Sequence, residues 1–260
     1  MIGTLFELLA LSEQVLWQGL AVFVRVAAVM AVLPAFGDQP VPTRVRLVLA
    51  VMFTLIVAPA VASTLPTRPE DLISAAVYLG PEVISGLLFG ILLRLFVLAL
   101  QIAGAIAAQA SSLTQIFGGT AVVDPQPAIG HVLVVAGTAL AVMMGLHVQV
   151  ATYLIYSFAL VPFGVMPLPG IVAELGVGEV GRAFSLGFSL AAPFLIASLL
   201  YNVVLGAINR AMPLLMVSFV GAPALTAGGL FLFFLSAPLM LAVWINAFQS
   251  FLESPGMPVP

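Results

Sequence analysis

Long apolar stretches, parted by short polar or Pro/Gly-rich punctuation, make up nearly the whole chain. A hydrocarbon core about 30 Å thick takes roughly 20 apolar residues as helix. Stretches that meet this run over about 15–36, 45–65, 72–108, 128–162, 183–206 and 214–250. Between them lie Gly37 to Pro42, Leu65 to Asp71, Gln109 to Pro127, Pro162 to Gly181 and the Asn209-Arg210 neighbourhood. Strand-like alternation is missing over any useful length, which argues against a barrel. The pattern predicts an all-α membrane protein, a bundle of about six to eight hydrophobic helices. The stretches 72–108, 128–162 and 214–250 exceed the roughly 17–25 residues of one crossing. Each holds a breaker: Gly80-Pro81, Gly145, and Gly221-Ala222-Pro223 with Gly228-Gly229. Broken, kinked or hairpin segments are predicted there, irregular backbone being tolerated at membrane depth only when packed in protein or lining water. Residues 1–250 read as a single membrane domain, and 251–260, with three prolines, as a disordered tail.

Composition sharpens this picture. Of the 260 residues 63% are hydrophobic and 7% charged, with a mean hydropathy of +1.26. A soluble domain is about 45–50% apolar and about 25% charged, so a soluble enzyme, a secreted disulfide domain and a disordered chain are all excluded. Cysteine is absent, leaving no disulfide or thiolate metal site. A net charge of −3 without any lysine argues against a nucleic-acid partner. Glu7 and Glu13 precede the first cation, Arg25, so no cleavable signal peptide is expected. Arg44, Arg46 and Arg210 against Arg68 and Arg182 give a slight preference for an outward N-terminus.

The polar groups inside apolar stretches carry the information about function. Arg25 lies near the middle of the first stretch and Arg94 equally deep in the third. Gln101, His147, Gln149, Asn202, Asn209 and Asn246 are further cases. An Arg at the bilayer centre costs at least about 2.5–3.5 kcal/mol, so each needs a carboxylate, a carbonyl or water. These residues can glue the bundle together, line a polar conduit or contact other subunits; alternatively their helices pack inside a larger assembly. Enzyme chemistry finds no foothold. His131 and His147 stand sixteen apart without the spacing of a metal site, no nucleophile elbow or P-loop is present, and Asp124 has no carboxylate neighbour. No cofactor is expected.

Helix contacts are marked by small residues. Gly86 and Gly90 form a small-xxx-small pair. Ala99, Ala103, Ala107 and Ser111 recur every four residues, a smooth stripe that ends at the loop Gln109–Pro127. That loop is apolar, holds the pair Gly118-Gly119 and carries no charge before Asp124. Exposed loops are more polar, so it reads either as a short interfacial connector or as a segment buried in a pore or interface.

From about residue 20 to about 245 the chain resembles a known family, the flagellar biosynthesis protein FliR and its injectisome counterpart SctT. The resemblance rests on Phe23-Val24-Arg25-Val26, Leu33-Pro34-Ala35-Phe36-Gly37 and Val41-Pro42-Thr43-Arg44-Val45-Arg46, and further on Gly86 to Arg94, Gly104, Gln109 and Asp124-Pro125. Gly145-Leu146-His147 stands where the family has a Gly-His pair. The C-terminal block is the most specific: Ala192-Pro193-Phe194, Asn202, Gly206, Asn209-Arg210-Ala211-Met212-Pro213 and Gly221-Ala222-Pro223. The chain departs from the family after Pro213 and in the central loop, where Ser111-Ser112 replaces a Met-Gly pair and Gly118-Gly119 look inserted.

The resemblance implies a core subunit of the type III protein export gate, assembled with FliP- and FliQ-type subunits, with FlhB- and FlhA-type subunits beside it, at the basal body in the bacterial inner membrane. Unfolded flagellar proteins would be the substrates. It further implies that Arg25, Arg94, His147, Asn209, Arg210 and Pro213 sit within the assembly or at subunit contacts. The central loop becomes a plug: Leu113, Ile116 and Phe117 the apolar seal, Gly118-Gly119 the hinge, Asp124-Pro125 the anchor. An injectisome version of the same gate and a stand-alone secondary transporter are the competing readings. The transporter would call for an internal inverted repeat, and none is visible between the halves.

Overall fold

The computed structural model describes residues 2–36, 41–69, 71–111, 128–211 and 217–253. Side chains are described from Ser12 onward in the first helix and from Leu225 onward in the last, and not at Leu72 or Asn209. The described residues are mainly helical, without strands: α1 (Ile2–Val32), α2 (Thr43–Val61), α3 (Leu72–Ala110), α4 (Ala128–Met143), α5 (Leu146–Leu160), α6 (Pro169–Ala211) and α7 (Val217–Glu253). Among them five helices are long and apolar enough to cross a membrane, and α4 with α5 makes a sixth, broken span.

Local chemistry explains the boundaries. α1 stops before Leu33-Pro34, and α2 starts directly after Pro42. Pro169 opens α6 at the first helical position, where its missing N–H costs nothing. The break between α4 and α5 falls at the predicted Gly145, whose φ of 85° suits glycine. Gly80-Pro81, in contrast, leaves α3 continuous. α6 also begins earlier than apolarity alone suggests, because its first turns carry Glu174, Glu179, Arg182 and four glycines yet stay helical. At the other end α7 runs through Phe251 and Leu252, both buried, so the tail segment beyond the described residues starts at 254.

The chain divides into two compact units, one from Met1–Arg94, Val142–Glu179 and Gln249–Pro260, the other from Leu95–Ala141 and Val180–Phe248. In the first unit, α1 buries Val22, Val26 and Val29 completely, the 3–4 spacing of one helix face, and Leu33 just past its end is buried with them. α5 buries Leu146, Val150, Tyr153, Leu154 and Phe158 in the same manner. Tyr153 reconciles its hydroxyl with this core by donating to the Phe89 carbonyl at 3.1 Å, its ring edge-on to Phe89. Where α1 crosses α3, a Cβ on Gly86 would strike the Arg25 carbonyl and Ala28, and one on Gly90 would overlap Val32. At one rim Glu13 pairs with Arg68, and Gln14 accepts the Arg68 N–H at 3.0 Å.

In the second unit Trp244 is the anchor. Its indole donates to the Phe96 carbonyl at 2.8 Å and stacks on Phe248. Ala99, Ala103 and Ala107 are completely buried. A Cβ on Gly104 would overlap the Gly130 backbone of α4, and one on Gly187 of α6 would collide with Ile102. The smooth face of α3 thus admits two neighbouring helices at backbone distance.

Candidate functional site

Arg25 is the largest charged group that this chain hides. It projects from the buried face of α1, with 0% exposure, and meets Glu82 of α3, equally hidden. Nε donates to Glu82 Oε2 at 2.7 Å and Nη2 to Oε1 at 3.0 Å, the two-pronged geometry that suits a planar guanidinium to a carboxylate. Nη2 also donates to the Val161 carbonyl at 2.9 Å. Nη1 donates to the Ser157 carbonyl at 2.9 Å and to the Ser157 hydroxyl at 3.4 Å. All five donors of the side chain are therefore used. The Phe158 ring lies 3.9 Å from Cζ, a desolvated cation–π contact.

Two features place these partners. Glu82, Gly86 and Gly90 are spaced i, i+4, i+8 and share one face of α3, so the close crossing at the glycines sets Glu82 against α1. The carbonyls of Ser157 and Val161 belong to the last turn and cap of α5, where the negative end of the helix dipole collects. Arg25 donates to both, the Ser157 carbonyl also accepting the Val161 N–H at 3.0 Å. Glu82 in turn accepts the Gly164 N–H at 2.9 Å, holding the turn that follows α5. Gly164 has φ 72°, and a Cβ there would meet the Tyr78 ring at 2.6 Å. The Tyr78 ring also stacks on Phe163. One ion pair thus fastens α1, α3, the end of α5 and the segment leading to α6. Both charges are saturated and shut from water, so this arrangement holds backbone in place rather than offering a proton or a lone pair.

The other residues singled out in the sequence are placed differently. Arg94 is exposed on α3, His147 on α5 and Arg210 on α6, and among the described residues none of the three makes a hydrogen bond or ion pair. The structure does not bring them together with Arg25. The side chain of Asn209 lies outside the described set, as do Pro213 and the loop residues Leu113, Ile116, Phe117, Gly118, Gly119, Asp124 and Pro125. Glu82 was not among the candidates, although a signal was available: it is the only carboxylate in any of the six apolar stretches. Among the described residues no three His, Asp or Glu cluster as a metal site would need.

Residues 16–251 match the family described as bacterial export proteins, family 1. The chain is similar to the flagellar biosynthetic protein FliR of Caulobacter vibrioides, 32% identical over 233 residues, which is 89% of this chain and 93% of that protein. It is also similar to FliR of Aquifex aeolicus, 27% identical over 242 residues (93% of each chain), and to FliR of Escherichia coli, 28% identical over 212 residues (78% of each).

Proposed function

The chain belongs to family 1 of the bacterial export proteins, and on that premise we propose that it is a core subunit of the flagellar type III export gate in the inner membrane, at the basal body. Membership of this family and likeness to the FliR proteins make it a membrane-embedded component of a flagellar export apparatus. The finer reading is that it assembles with FliP- and FliQ-type subunits into a channel for unfolded flagellar proteins, FlhB- and FlhA-type subunits acting beside it. The chain through Glu253, the end of α7, serves as one export-gate domain. The end-to-end likeness to FliR carries this reading.

Helix length supports an assembly. α6 has 43 residues and α3 has 39, which at 1.5 Å per residue span about 65 and 58 Å. Both are about twice the thickness of a hydrocarbon core. Fitting α6 inside it would take a tilt near 60°, against a usual value of about 20°. Yet α6 stays apolar and outward-facing along most of its length, with Phe184, Phe188, Ile196, Leu199 and Val203 all more than half exposed. Protein subunits beyond the bilayer are what such a surface fits.

Transport through the gate is passive on this reading, the driving force coming from proton-motive force and an ATPase elsewhere. Leu113, Ile116 and Phe117 close the pore at rest as an apolar constriction that excludes water. Gly118-Gly119 hinges it and Asp124-Pro125 anchors it. Native mass spectrometry of the chain co-expressed with its FliP- and FliQ-type subunits tests the assembly. One large complex containing the chain is expected, and a stable particle of the chain alone, its companions left behind, overturns the reading. Within an assembled gate, Phe117→Ser should raise ion leakage across the membrane; unchanged permeability removes the plug.

A further inference from the structure

The outer face of α3 repeats with a period that lipid does not require. Val77, Gly80, Ile84, Leu87, Ile91 and Arg94 follow one another at alternating spacings of three and four residues, and all are exposed. In heptad terms the β-branched Val77, Ile84 and Ile91 occupy one seam position, and Gly80, Leu87 and Arg94 the other. β-branched residues at the first and Leu at the second favour a two-helix, left-handed packing, and one polar residue in such a seam fixes its register. Gly80 has open space where a Cβ would stand, which suits close approach of a second backbone. α1 does not occupy this face: it crosses α3 at Gly86 and Gly90, which lie on another side of the helix.

Arg94 decides what the seam is for. No ionisable residue lies between Val83 and Leu93, or between Leu95 and Ala110. At 1.5 Å per residue that leaves about 16 Å of uncharged helix on one side and about 24 Å on the other. A guanidinium flanked by that much uncharged helix finds no counter-charge along its own helix, and a carboxylate on a facing helix is the partner that such a seam brings to it.

We infer that this face of α3 is the docking seam for one helix of another membrane subunit, packed in heptad register with an Asp or Glu opposite Arg94. The inference rests on the export-gate reading and names the chemistry of one contact within it. The seam supplies affinity through Val77, Ile84, Leu87 and Ile91, and Arg94 supplies register, since a one-turn slip would leave two charges unpaired in an apolar setting.

The test uses the full chain co-expressed with the other gate subunits, with a photo-crosslinking residue at Leu87 and Arg94 intact. The expected product joins Leu87 to a transmembrane segment of a different subunit that carries an Asp or Glu two turns or less from the attachment point. Crosslinks to lipid, to a second copy or to a segment without an acid overturn the inference while the gate complex stands. In parallel, Arg94→Leu and Arg94→Glu should lower recovery of the complex, the reversal by about tenfold or more. Recovery of both at the wild-type level also overturns it. If the wild-type chain forms no complex at all, the export-gate reading fails first and takes this contact with it.

Discussion

Arg25 and Arg94 are the same residue in the same kind of surroundings by sequence, each deep in an apolar stretch, and the fold treats them oppositely. Arg25 faces inward, where Glu82, two helix-end carbonyls and a serine hydroxyl consume its five donors. Arg94 faces outward with no partner among the described residues. The first charge is balanced by its own chain and so contributes to folding. The second is left unbalanced, and a guanidinium in lipid costs at least about 2.5–3.5 kcal/mol. On the export-gate reading, that debt is met by a facing subunit. A buried ion pair here marks architecture, whereas an exposed charge on an apolar helix is what the proposed assembly has to answer.

The largest expected effect breaks the inner member of this comparison. Arg25→Leu or Glu82→Leu alone should destabilise the purified chain by about 3–5 kcal/mol, because each leaves the opposite charge buried without compensation. The double variant should recover much of that loss, and a double-mutant cycle from denaturation in detergent measures the difference. Arg94→Leu in the isolated chain should stay within about 0.5 kcal/mol of wild type, as surface substitutions do. Equal losses for Arg25→Leu and Arg94→Leu would erase the distinction between the two arginines.

The sequence made the first half of this visible and not the second. Run lengths alone predict an all-helical membrane bundle, because a span needs a fixed number of apolar residues whatever its neighbours. The break at Gly145 was legible too, since a positive φ singles out glycine. Gly80-Pro81 was not decisive, for a proline can be carried inside a long packed helix. At the site, Arg25 stood out as a charge in an apolar run, but its partner is 57 residues away. Two signals hinted at the pairing: Glu82 is the only carboxylate in the apolar stretches, and it stands one turn from Gly86 on the crossing face. The acceptors on Ser157 and Val161 are backbone carbonyls and leave no trace in residue type. Arg94 differs from Arg25 only in which face of its helix the rest of the fold covers.

A smaller effect separates the two jobs of Glu82, which pairs with Arg25 and also holds the turn after α5. Gly164→Ala leaves the ion pair intact but forces a side chain into a left-handed conformation against Tyr78. A loss of about 1–3 kcal/mol is expected, with faster hydrogen exchange confined to the segment 161–168. If exchange also rises in α1, the turn and the ion pair are one cooperative element rather than two.

The smallest effect concerns a charge that water, not protein, surrounds. Asp71 immediately precedes α3, and its carboxylate accepts the Ser74 N–H at 3.2 Å, capping the first turn. Hydrogen bonds from Ser74 hold its carboxyl below the usual carboxylate pKa. A carboxyl with a depressed folded pKa stabilises fully above its unfolded value, about 3.9, and that contribution disappears as pH falls through the lower folded value. Amide exchange in the first turn of α3 should therefore be flat between about pH 5 and 8, after correction for intrinsic exchange rates, and show extra opening only in acid. Asp71→Ala should bring that opening to neutral pH. Unlike the Arg25–Glu82 pair, this cap lies at a helix end where fraying is local, so the denaturation midpoint should barely move; a large shift would mean that the start of α3 is coupled to the buried pair eleven residues further on.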